Sequence, residues 1–126
     1  MTYTCEIASI YINRDNYKFR KEDLQKIVEL SVNKMIFQEF DVSQPVGIIK
    51  NAKLGKLQRS VIAEINLENS IEEGIWYVVP RIQASKMKVA GGHRLKIQDV
   101  IHFGLTKNPS EFYLKPITIK NDAEGK

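Results

Sequence analysis

Between Lys21 and Met35 the apolar residues Leu24, Ile27, Val28 and Met35 recur at helical spacing. Ser31 fills the remaining place on that stripe, and Glu22, Asp23, Lys26 and Glu29 lie away from it. The pattern predicts an amphipathic helix over 21–35, with acids in its first turn and Lys34 in its last to complement the helix dipole. Elsewhere the period is two. Tyr3 to Asn13 sets Cys5, Ile7 and Tyr11 on one face and Ala8, Ile10 and Ile12 on the other, so both faces are apolar and an interior strand is expected. Arg14, Asp15 and Asn16 supply turn chemistry after it.

Ile36 to Phe40 reads as a short strand, with a boundary at Gln44-Pro45 because proline gives a ladder no donor. Val46 to Leu54 and Arg59 to Leu67 read as a hairpin around Gly55-Lys56-Leu57-Gln58, with Val61, Ala63, Ile65 and Leu67 on one face. Asn69 to Gly74 is a loop or one helical turn. The apolar run Ile75 to Val79 follows as a buried strand that Pro80 is expected to stop. Ala84 to Ala90 alternates weakly. Gly91-Gly92 offers a tight turn, and Leu95, Ile97 and Val100 lead into His102 to Leu105. Phe112 to Ile119 is a last strand, which Pro116 assigns to an edge or a ladder end.

Taken together, these elements predict an α+β domain over 1–120. It should be a mainly antiparallel twisted sheet or partly open β-barrel with one principal helix, followed by a disordered tail over 121–126. The chain of 126 residues is 43% apolar and 27% charged, ordinary values that suit one hydrophobic core. No apolar run reaches the roughly 18 residues of a membrane span, and no basic region precedes an apolar one, so no membrane association is expected. A single cysteine, Cys5, excludes an internal disulfide and fits a reducing, cytoplasmic setting. Strands that are apolar on both faces, with one helix to cover them, suggest a homo-oligomer.

Charge narrows the partner classes. Residues 1–45 hold six Lys/Arg against seven Asp/Glu, and residues 46–126 hold thirteen against eight. Lys86, Lys88, His93, Arg94 and Lys96 cluster around one predicted hairpin, and Lys50, Lys53, Lys56 and Arg59 around the other. Together they nominate an anion site, with Arg94 favoured because its planar fork holds two oxygens at once. Aromatic residues do not interleave with these cations, which disfavours sequence-specific nucleic-acid binding. Trp76 and Tyr77 point to opposite faces of a strand, so one can be core while the other anchors an interface. Two isolated histidines and one distant cysteine show no metal-ligand spacing, and neither a Walker pattern nor GxGxxG is present, so no cofactor is expected.

Four segments in order, RDNYKFRKEDLQKIVE, QPVGIIKNAKL with SVIAEINL, YVVPRI and FGLTKNPSEFYLKP, resemble the phage prohead maturation proteases, relatives of herpesvirus assemblin. Such proteases place a catalytic histidine just before the segment resembling QPVG and a nucleophilic serine in the strand resembling YVVPRI. Here the first place reads Phe40-Asp41-Val42-Ser43, without histidine, and the second Tyr77-Val78-Val79-Pro80, without serine. The resemblance therefore implies an inactive relative of these proteases. It would be a phage or prophage protein in the host cytoplasm or the virion, contacting other proteins during head assembly. The competing expectation is a small phage or mobile-element inhibitor that captures a host-defence protein or a phosphate-bearing ligand through the basic hairpins.

Overall fold

The computed structural model describes residues 1–10, 17–68, 70–90, 92–108 and 114–120, with backbone alone at 17, 18, 87, 89 and 92–95. The expected tail over 121–126 and the turn at Arg14 to Asn16 lie outside the described residues. In chain order the elements are β1 (Thr2–Ser9), β2 (Tyr17–Lys18), α1 (Lys21–Ser31), β3 (Met35–Gln38), β4 (Pro45–Leu54), β5 (Ser60–Leu67), β6 (Gly74–Val89), β7 (Gly92–Thr106) and β8 (Ile117–Ile119). A short turn, Lys56–Gln58, in which Leu57 and Gln58 take left-handed φ of 58° and 55°, joins β4 to β5.

The strands follow the order β1-β5-β4-β3-β7-β6-β8, and β2 also pairs with β7. The sheet is mixed, because β2 and β3 both run parallel to β7 while the other pairings are antiparallel. Parallel neighbours are far apart in sequence and leave no hairpin signal, which is why the local pattern suggested antiparallel pairing. The ring nearly closes where β1 meets the chain entering β8. There the Glu6 N–H donates to the Lys115 carbonyl at 3.2 Å, and the Lys115 N–H to Glu6 Oε1 at 2.9 Å. In the ladder β1 is an end strand paired with β5, not the interior strand expected, and only the near-closure at Lys115 flanks its other side. Its apolar character on both sides arises from a bulge between Glu6 and Ala8, which lets Cys5, Ile7 and Ala8 all be buried.

Helix α1 ends at Ser31, earlier than the stripe suggested. The Ser31 hydroxyl donates to the Ile27 carbonyl, and Asn33 takes a left-handed φ of 69°. The chain then bonds to β4: the Asn33 N–H donates to the Ile49 carbonyl at 2.8 Å, and the Ile49 N–H to the Lys34 carbonyl at 2.9 Å. Met35 therefore belongs to β3, which is short. The preceding helix continues its lane between β4 and β7, packing on both. Leu24 and Ile27 are fully buried beneath it.

The β4–β5 hairpin matches expectation, with Val61, Ala63, Ile65 and Leu67 all buried. Pro80, however, does not stop β6, which runs on to Val89 with Pro80 opposite Phe103. Beyond Trp76, β7 is the one ladder partner of β6 among the described residues, and an edge position tolerates the missing N–H. Trp76 and Phe103 are the largest fully buried side chains of the core. No helix among the described residues is long and apolar enough to cross a membrane.

Candidate functional site

The register of the β6–β7 hairpin divides the basic residues nominated as an anion site. Val89 pairs with Gly92, so the connection is Ala90-Gly91, with Gly91 outside the described residues. Lys86 pairs with position 95 and Lys88 with position 93, whereas Lys96 pairs with Ser85 and Arg94 with position 87. Because successive positions alternate faces, Lys86 and Lys88 share a face with the backbone position of His93, and Lys96 shares the opposite face with that of Arg94. The side chains of His93 and Arg94 lie outside the described residues. Lys86, Lys88 and Lys96 are exposed. Since β3 is antiparallel to β4 and parallel to β7, the β4–β5 and β6–β7 arms leave the barrel at the same end, with α1 between them.

Trp76 is 2% exposed, and its indole N–H donates to the Glu72 carbonyl at 2.9 Å, so it is core rather than an interface anchor. Lys107 Nζ stands 4.9 Å from its ring centroid and 3.4 Å from the Glu72 carboxylate. Tyr77, on the other face, is half-buried.

A second apolar cluster, separate from the core, forms on the outer face of β3, β7 and β6. Gly104 pairs with Phe37 on one side and Val79 on the other, which sets the three in one row across the sheet. The turn after β3 folds back over this row. The Glu39 N–H donates to the Leu105 carbonyl at 2.9 Å, the Asp41 N–H to Gln38 at 3.0 Å and the Gln44 N–H to Asp41 at 2.8 Å. Glu39 and Phe40 have φ of 49° and 62°, consecutive left-handed residues of the kind that cost about 1–3 kcal/mol each and cluster at functional sites. Through them the Phe40 ring is laid against Gly104, where any Cβ would collide with it. Val79 is 5% exposed although it lies on the outer face.

His102 sits beside this row, opposite Arg81. Its ring meets Phe37 edge-on with centroids 5.0 Å apart and Phe40 at 6.3 Å. Desolvation, and secondarily the Arg81 charge, lower its pKa, so the imidazole is neutral at physiological pH. The nearby hydroxyl of Ser43 donates to Asp41 Oδ1 at 2.7 Å; it and the Ser43 N–H hold the Asp41 carboxyl below its usual range. Chemically the site offers a neutral imidazole, one exposed guanidinium and aromatic walls. Its one sequence signal was Gly104, since glycine inside a strand marks a close approach. Nothing local announced that Phe40 would supply it. Among the described residues no group of His, Cys, Asp and Glu could hold a metal ion.

The chain matches no protein-family model, no curated protein and no solved structure.

Proposed function

We propose that this chain is a non-catalytic protein of phage or prophage type, an inactive relative of the prohead proteases that works through protein contacts in head or virion assembly. One observation carries the reading. The two stretches that the resemblance would make catalytic, Phe40 to Ser43 and Tyr77 to Pro80, converge on Gly104: the Phe40 ring covers it and Val79 pairs with it. Two segments about forty positions apart meet as a histidine and a serine of such a protease would have to, yet a phenyl ring and a valine occupy the meeting point. Neither can accept a proton or attack a carbonyl. Its setting would be the host cytoplasm or the virion.

Incubation with phage capsid proteins, with itself, and with a serine-reactive phosphonate is the test. The expected result is co-purification with a head protein, no cleavage and no labelling. Specific cleavage, or phosphonate on a single serine such as Ser43, Ser60 or Ser85, would overturn it. The inhibitor reading draws on a different observation, the two basic arms at one end of the barrel. Calorimetry with nucleotides and cyclic nucleotides at two salt concentrations tests it, since phosphate contacts weaken as salt rises.

A further inference from the structure

One buried side-chain nitrogen among the described residues has no hydrogen-bond partner, Nε2 of His102. Folded proteins rarely leave such an atom idle, because it keeps its desolvation penalty with nothing to offset it. Around it stand the rings of Phe37 and Phe40, and across the ladder Arg81, which is exposed. The carboxylates of the covering turn are exposed: Glu39, and Asp41, which accepts from Ser43 and Gln44. The cover itself is the Phe40 ring, held down by the left-handed pair Glu39 and Phe40.

We infer that the Phe40 ring fills a binding site for a carboxylate carried beside an aromatic group on a partner protein. The partner's ring takes the place of Phe40 against Phe37 and the bare backbone of Gly104. Its carboxylate accepts a hydrogen bond from His102 Nε2 and pairs with the Arg81 guanidinium. One imidazole donor and one guanidinium match the single charge and planar shape of a carboxylate, whereas a doubly charged phosphate needs more donors than these apolar walls supply. That the partner is a protein rests on the function proposed above; the chemistry of the site does not.

Benzoate, which carries a carboxylate on an aromatic ring, is the probe. Nitrogen resonances of the His102 imidazole and calorimetry on the full chain are the readouts. A saturable shift at His102 is expected. Phe40→Ala, which removes the competing ring, should strengthen binding, and Arg81→Ala should weaken it about tenfold, as loss of one charged hydrogen bond does. Phe40→Leu replaces the alanine variant if that one fails to fold. Absence of a saturable shift at His102 in the folded Phe40 variant, or affinity indifferent to Arg81→Ala, overturns the site. Benzoate binding without capture of a head protein would leave the site standing and remove the assembly reading; capture without benzoate binding would do the reverse.

Discussion

The Phe40 ring lies so close to the α-carbon of Gly104 that a methyl group at position 104 would enter it. Gly104→Ala must therefore push the ring away or strain the turn that carries it. Overpacking of this kind costs about 1–3 kcal/mol, visible as a lowered melting temperature. Adding Phe40→Ala to the same chain removes the obstacle, so the double variant should lose less than the two single losses added together. Strict additivity would show that the two residues do not interact.

His102 makes stability depend on pH with a defined sign. Desolvation first, and the Arg81 charge second, hold it below its ordinary value of 6.5, so near that pH the unfolded chain binds its proton more readily than the folded one. The contribution is fully present above 6.5 and is lost as pH falls from there towards the lowered folded value. Denaturant melts at pH about 7.5 and about 5.5 should show the loss, and His102→Gln should reduce it. An unchanged pH slope in that variant would remove His102 as the cause.

Cys5 is 2% exposed, and burial, with a smaller contribution from Glu6, pushes its thiol up to about 12. Since the thiolate is the reactive form, the folded protein should resist a chromogenic thiol reagent at pH about 8 and react with it once denatured. Rapid reaction of the native protein would mean that β1 opens.

Ile27 lies at the centre of the buried stripe of α1 and is fully buried. Ile27→Asp places an unpaired carboxylate there at a cost of several kcal/mol, comparable with the total stability of a domain this size. Circular dichroism should report an unfolded chain or a melting temperature lowered by tens of degrees; an unchanged melt would refute the packing of α1.

Short-range patterns were readable in the chain and long-range ones were not. Leu24 and Ile27 announce α1, and Val61 to Leu67 announce β5, because each buries one face at its own period. Met35 misled because it continues the helical spacing while its neighbours Asn33 and Lys34 already bond to β4. Pro80 misled because its effect depends on whether the strand has a second neighbour, which only the assembled sheet decides. The candidate site was the least legible part. Phe40 and Val79 are ordinary residues in sequence and acquire meaning, with Gly104, when β3, β7 and β6 lie side by side.

Glu6 and Lys115, which close the ring, are 109 positions apart, while the β6–β7 hairpin joins neighbours in the chain. Contacts between distant segments require most of the polypeptide to be ordered before they form, so the seam at Glu6 belongs to the native side of the folding barrier. Glu6→Ala, which removes the carboxylate bonded to the Lys115 N–H, should then hasten unfolding and leave the refolding rate nearly unchanged. Stopped-flow kinetics separate the two limbs, and slowed refolding in this variant would mean that the ends of the chain find each other early. On this account the lifetime of the folded barrel is governed by a seam that takes no part in building it.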